Sequence, residues 1–230
     1  MIDLELVVFD LVGTTIQDRG EVPDALQGAM LEHGLEIAAG DMKHLRGLSK
    51  REMIARLLGE NARASLEGLE AKADAVYESF LSRLVGTIEG GGVHAMEGSA
   101  ATFAWLQAHR IKVVLSTGFN RQITDLLLAQ PSWSPGLIDA SVCLDDVSQG
   151  RPAPYLIFRA MERAGVASVH RVAAVGDTRS DLQAAHNAGV AQAIGVLSGD
   201  QGPEELGAEP HTALVDSVAG LPALWASELD

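Results

Sequence analysis

Cysteine is almost absent. Cys143 is the only one in 230 residues, so neither an intrachain disulfide nor a multi-cysteine metal site can form, and the chain suits a reducing compartment. Its place in Ala140-Ser141-Val142-Cys143-Leu144 is that of a small apolar core residue. Positive charge is scarce as well. Seventeen Lys and Arg face 31 Asp and Glu, and the net charge of −14 would repel a polyanion, so a nucleic-acid or anionic-membrane surface is not expected. A small anionic ligand stays compatible if a metal and backbone N–H groups neutralise it locally. No apolar run approaches a membrane span, and Met1-Ile2-Asp3-Leu4-Glu5 lacks a basic leader before a long apolar stretch, which leads us to expect a cytoplasmic protein. Repeats and low-complexity tracts are missing too. What remains is an ordinary globular balance, 47% hydrophobic and 21% charged, long enough for one α/β domain with a modest insertion.

Leu6-Val7-Val8-Phe9 is a short apolar, β-branched run ending at Asp10, the pattern of a strand buried on both faces of a parallel sheet. Similar runs recur at Ile111 to Leu115, Val142 to Leu144, Val172 to Val175, Ala193 to Val196 and Ala213 to Val215. Helical stretches lie between them, such as Ser99 to His109 and Pro152 to Ala164, the latter with prolines in its first turn and Gly165 to end it. This alternation predicts a doubly wound α/β fold with a parallel sheet. From about Thr15 to Val93 strand-like runs vanish. Leu66, Leu69, Ala73, Val76, Phe80 and Leu84 step by three and four along one helix face, and Leu26, Ala29, Met30 and His33 do so earlier. The expected organisation is therefore residues 1–15 and 93–230 as the α/β domain, with 16–92 as a helical insertion returning near a hinge at Gly90-Gly91-Gly92.

In an open parallel sheet, ligands bind beyond the carboxyl ends of the strands. Polar groups collect there: Asp10-Leu11-Val12-Gly13-Thr14-Thr15, then Ser116-Thr117-Gly118, then Gly176-Asp177-Thr178-Arg179-Ser180-Asp181. Arg151 opens the predicted helix at Gly150-Arg151-Pro152-Ala153-Pro154. Singly, each has a plain reading. Asp10 could form a turn, Ser116 and Thr117 a cap, Asp177 and Asp181 the cap of a helix carrying Leu182 and Ala185, and Arg151 a solvated charge.

Together and in order, Asp-x-x-Gly-Thr, Ser-Thr-Gly, Gly-Arg-Pro-x-Pro and Gly-Asp-x-x-x-Asp resemble the four motifs of the haloacid dehalogenase superfamily, over nearly the whole chain. The resemblance implies a Rossmann-like core, with the helical insertion as a cap that closes over it and chooses the substrate. It further implies Asp10 as nucleophile, forming an aspartyl-phosphate that water hydrolyses. Asp10, the backbone carbonyl of Val12 and Asp177 would hold Mg2+, with Asp181 as a further ligand or support. Thr14, Ser116 and the backbone N–H groups of Thr117 and Gly118 would bind the substrate, while Arg151 offsets its remaining charge. A hard cation suits this chemistry because carboxylate and phosphoryl anions must meet without repulsion.

One departure outweighs these matches. Most phosphatases of this superfamily carry a second aspartate two residues after the nucleophile, as general acid and base, and here that position is Val12. Positioned acid–base catalysis contributes about 100- to 10,000-fold, so an ester phosphatase would be handicapped. A small apolar residue followed by Gly-Thr-Thr instead resembles the phosphonatase branch, the phosphonoacetaldehyde hydrolases. That branch uses a cap lysine to form a Schiff base, and the imine replaces the missing acid. Gly47-Leu48-Ser49-Lys50 resembles the segment carrying it and nominates Lys50. Ser49 and Glu52 form a capping box, followed by Met53, Ile54, Leu57 and Leu58 as apolar residues, which places Lys50 first in a helix. A positive helix end and the neighbouring Arg51 both disfavour an ammonium group there, and a neutral amine is the form that attacks a carbonyl. Arg46, Met53 and Phe119 depart from the methionine, histidine and tyrosine that the branch leads one to expect, so the pocket is altered.

The expected function is therefore a phosphonatase-like hydrolase acting on a small phosphonate, phosphonoacetaldehyde or an analogue. The first alternative is a phosphoglycolate-type or sugar-phosphate phosphatase. A mutase would need the acid that Val12 replaces, and a dehalogenase has no need of a complete magnesium site. A non-catalytic phosphometabolite-binding protein would not need the nucleophile. Oligomeric state stays open, with a homodimer through exposed apolar residues of the cap as one expectation.

Overall fold

The structure is a computed structural model that describes residues 3–36, 50–61, 66–91, 93–129, 133 and 136–229. Six parallel strands form one sheet: β1 (Leu6–Asp10), β2 (Lys112–Ser116), β3 (Ala140–Val142), β4 (Val172–Gly176), β5 (Gln192–Val196) and β6 (Ala213–Val215), in the order β3-β2-β1-β4-β5-β6. β1 lies in the middle because Leu6 to Phe9 are apolar on both faces and every residue of the strand is buried. Successive side chains alternate between two cores. Val7 and Phe9 face one, with Phe103 and Trp225 in it, whereas Leu6 and Val8 face the other, with Leu156 and Leu182. The chain builds β2 and β3 on one side of β1 and then crosses to lay β4 on the other, so the order reverses at β1. Such a reversal opens a crevice at the carboxyl ends of the strands, where Asp10 and Gly176 sit.

Between β1 and β2 the long elements are helices: α1 (Glu21–Glu32), α2 (Lys50–Asn61), α3 (Leu66–Glu89) and α4 (Ser99–Ala108). The predicted face of α3 is buried at Ala73, Val76, Phe80 and Leu84, and α1 and α2 both pack on α3. Met53, Ile54, Leu57 and Leu58 are buried on α2, and Lys50 is the first of its described residues. Ser49, needed for the capping box, and Arg46 to Leu48 lie outside the described residues, as does Gly92 of the glycine run. The chain leaves and re-enters the sheet side by side: the Gln17 amide donates to the His94 carbonyl at 2.9 Å, and the Met96 amide to the Thr15 carbonyl at 2.8 Å.

After β2 come α5 (Arg121–Ala129), α6 (Tyr155–Ala164), α7 (Arg179–Ala188), α8 (Pro203–Gly207) and α9 (Leu221–Leu229). Two predicted boundaries are corrected. α6 starts at Tyr155 instead of Pro152, because Arg151 and Ala153 each precede a proline, whose ring disfavours helical backbone in the residue before it. Arg151 therefore stands in a turn ahead of the helix. β3 ends at Val142 and not Leu144, since its partner β2 stops at Ser116, the residue paired with Val142. Among the described residues no helix is long and apolar enough to cross a membrane. The large apolar residues left exposed there are Leu31 on α1 and Tyr155 and Phe158 on α6, so only the first belongs to the insertion.

Candidate active site

The loop after β1 turns on one acceptor. The amides of Thr14, Thr15 and Ile16 all point at the Leu11 carbonyl, at 3.3, 2.8 and 2.8 Å, and the Thr15 hydroxyl donates to the Asp10 carbonyl at 2.9 Å. Gly13 makes this turn with φ of +93°, a conformation costly for other residues. A Cβ there would also lie 2.4 Å from Asp177 Oδ2, so the glycine is what lets the β1 and β4 loops meet.

Asp10, Asp177 and Asp181 converge in the crevice. All three are buried, and each offers an oxygen within 4.8 Å of the others. Asp177 is held by its neighbours: the Thr14 hydroxyl donates to its Oδ1 at 3.0 Å and the Asp200 amide to its Oδ2 at 3.2 Å. Asp181 sits in the first turn of α7, where its Oδ2 accepts the Thr178 amide at 3.0 Å and hydroxyl at 2.5 Å. Thr178, not Asp177, is thus the helix cap. The Oδ1 of Asp181 faces Arg151, whose Nη1 contacts it and also donates to Asp10 Oδ1 at 2.6 Å.

Burial pushes the Asp10 carboxyl up from 3.8 to about 6; the Arg151 guanidinium opposes this and the Asp181 charge adds to it. Asp177 is raised well above the ordinary carboxylate range, by burial first and then by the charges of Asp10 and Asp181. For Arg151 burial disfavours the cation, but the two carboxylates outweigh it and hold the guanidinium charged. Three buried carboxylates against one guanidinium leave negative charge in excess, and hard oxygen donors at this spacing fit a small divalent cation.

A cavity of about 90 Å³ opens over these groups. Asp10, Val12, Thr117, Gly118, Arg151 and Asp177 line it, and so does Lys50 from α2. Ser116 is buried beside Asp10 on the neighbouring strand. Thr14, expected to touch substrate, is fully buried, and its hydroxyl donates to Asp177. The Thr117 amide, expected to bind substrate, donates to the Val142 carbonyl at 3.1 Å. Arg51 pairs with Asp74 at 2.7 Å, so Asp74 offsets the charge expected to act on Lys50. Four lining residues were given no role by the sequence reading: Asp18, Val22, Thr178 and Asp200.

The family model for haloacid dehalogenase-like hydrolases matches residues 4–189. The chain belongs to that family. It is accordingly an enzyme, a hydrolase, with the fold expected of the family. It is 29% identical over 198 residues to a phosphonoacetaldehyde hydrolase of Hahella chejuensis, covering 81% of this chain and 66% of that one, just under two thirds. A phosphonoacetaldehyde hydrolase of Bacillus cereus strain B4264 is 28% identical over 225 residues, 94% of this chain and 83% of its own. The crystal structure of a phosphonoacetaldehyde hydrolase-like protein from Oleispira antarctica superposes with a TM-score of 0.82 at 20% identity, covering 98% of this chain and 92% of the other. That likeness concerns the fold.

Proposed function

We propose that this hydrolase breaks the carbon–phosphorus bond of a small phosphonate bearing a carbonyl group, with Asp10 as nucleophile and Lys50 as imine-forming amine. The observation that carries this reading is that Asp10 and Lys50 line one cavity, and that Val12, two residues after the nucleophile where an acid would stand, lines it as well. Asp10 attacks phosphorus and forms an aspartyl-phosphate. Arg151 offsets the charge of the transferring oxygens, and the Gly118 amide offers them a hydrogen bond. Lys50 converts the carbonyl to an imine, which accepts the electron pair of the breaking bond; no proton has to reach a leaving alcohol.

Magnesium is the cation we assign to Asp10, Asp177 and Asp181, with the Val12 carbonyl as a further ligand. When bound it screens the carboxylate from the phosphoryl anion. We read the helices α1 to α3, residues 16–92, as a cap that brings Lys50 to the core formed by 1–15 and 93–230. Relatives that carry the name phosphonoacetaldehyde hydrolase support the substrate class.

A second reading is a phosphate monoester phosphatase. Asp18 and Asp200 line the cavity, and either carboxylate could protonate an alcohol in place of the residue that Val12 replaces. A phosphate-release screen over carbonyl phosphonates and phosphate monoesters, with and without borohydride, separates the two. Carbonyl-dependent inactivation by borohydride supports the phosphonatase reading, whereas ester turnover untouched by borohydride rejects it.

A further inference from the structure

The cavity does not end at Lys50. A second compartment of about 60 Å³ adjoins it, walled by Val22, Pro23, Leu26 and Met53, and shares Val22, Lys50 and the rim carboxylates Asp18 and Asp200 with the first. One water needs only about 15 Å³ of such space, so there is room for a short carbon chain. Val22, Leu26 and Met53 are each buried among apolar neighbours, so the compartment is apolar on the side they form with Pro23 and charged only where it meets Lys50, Asp18 and Asp200. Lys50 stands at the junction. A carbon bonded to its amine would direct one substituent toward Asp10 and Arg151 and the other into the apolar compartment. An aldehyde offers that compartment a hydrogen; a ketone offers it an alkyl group. Met53, where the phosphonatase branch leads one to expect histidine, lines this second space.

We propose that the preferred substrate is a 2-oxoalkyl phosphonate whose short alkyl group, methyl or ethyl, occupies the compartment between Val22, Leu26 and Met53. This rests on the phosphonatase reading and narrows it. Lys50 adds to the ketone carbon and water leaves, giving the imine. Asp10 attacks phosphorus, the carbon–phosphorus bond breaks, and its electron pair passes to the methylene carbon as an enamine. That carbon takes a proton from water, imine hydrolysis frees the methyl ketone, and a second water molecule cleaves the aspartyl-phosphate. One water is consumed overall and a carbon–phosphorus bond becomes a carbon–hydrogen bond, without external oxidant or reductant.

The test compares 2-oxoethyl, 2-oxopropyl and 2-oxobutyl phosphonates on the full chain with Mg2+, reading phosphate release and borohydride adducts by mass spectrometry. Val22→Phe, which fills the compartment, should lower the 2-oxopropyl to 2-oxoethyl ratio of kcat/KM by about tenfold, the worth of a methylene in an apolar pocket. Val22→Ala, which enlarges it with little risk to folding, should raise the 2-oxobutyl to 2-oxopropyl ratio by about as much. Cleavage of the aldehyde with ratios unmoved by either substitution overturns this inference alone. Absence of both phosphate release and adduct with all three overturns the phosphonatase reading with it.

Discussion

Arg151 donates to Asp10 at 2.6 Å across 141 residues of chain, and the same guanidinium nitrogen contacts Asp181. One cation therefore stands between the end of β1 and the first turn of α7, among buried carboxylates of which Asp10 and Asp177 hold their protons more tightly than an ordinary aspartate.

Asp10→Asn should separate activity from stability. The amide keeps the shape but is no competent nucleophile, so phosphate release should fall by about 10⁴-fold or more. Because the folded environment disfavours the Asp10 anion, the neutral side chain should raise the melting temperature of the metal-free protein near pH 7.5. Activity within about tenfold of the parent would rule out the covalent mechanism.

The raised carboxyls also set a pH dependence. The folded Asp10 holds its proton up to about pH 6, above the ordinary 3.8, so the stability it contributes is full at low pH and lost as pH rises through about 6; Asp177 shifts in the same direction. A divalent cation binds the ionised forms and reverses that loss, so the rise in melting temperature on adding Mg2+ should be small near pH 5 and larger near pH 7.5. Chelation should abolish turnover, Mg2+ should restore it, and Ca2+ should inhibit because its looser coordination shell misplaces the in-line geometry. A cation effect that is the same at both pH values would exclude Asp10 and Asp177 as ligands.

The sequence showed the sheet because strands buried on both faces leave continuous apolar runs; Asp10, Asp177 and Asp181 drew notice because they follow such runs, and Arg151 because it precedes a predicted helix, and the structure brings these four side chains together. The partner of Thr14 was not legible for a reason of distance: nothing near it in sequence announces Asp177, 163 residues away. Asp200 could have been found, since Ser198-Gly199-Asp200 follows β5 as the other motifs follow β1, β2 and β4. Asp18 gave no such sign. It is an exposed residue of the first loop after β1, and only the folded structure shows that it lines the cavity.

That unread loop yields its own prediction. Ser198 donates to the Gly13 carbonyl at 2.9 Å, and a Cβ on Gly199 would lie 2.0 Å from Asp177 Oδ2. Gly199→Ala should therefore displace the Asp177 carboxylate and weaken Mg2+ by about 10- to 100-fold, the usual effect of disturbing groups that orient a ligand. Circular dichroism should show the fold retained, and activity should recover in part at high Mg2+. An unchanged metal dependence would mean the loop yields without moving Asp177.

Val12 and Lys50 test the central assignment together. If the lysine forms an imine, Lys50→Arg keeps the charge yet removes the reacting amine, so turnover of carbonyl phosphonates should fall to background and borohydride should no longer attach substrate to position 50. A merely electrostatic role would leave much of the activity, because the guanidinium still meets an anion. Val12 lines the cavity, and if it stands in place of a general acid, Val12→Asp should raise turnover of phosphate monoesters by about 100-fold or more. The new carboxylate adds charge to an already acidic site, and its gain should grow with Mg2+ concentration. The two substitutions pull in opposite directions, one removing the phosphonate reaction and the other opening the ester reaction. If Val12→Asp gains nothing and Lys50→Arg is silent, the enzyme is an ester phosphatase that takes its proton from Asp18 or Asp200, and Asp18→Asn or Asp200→Asn should then abolish ester turnover.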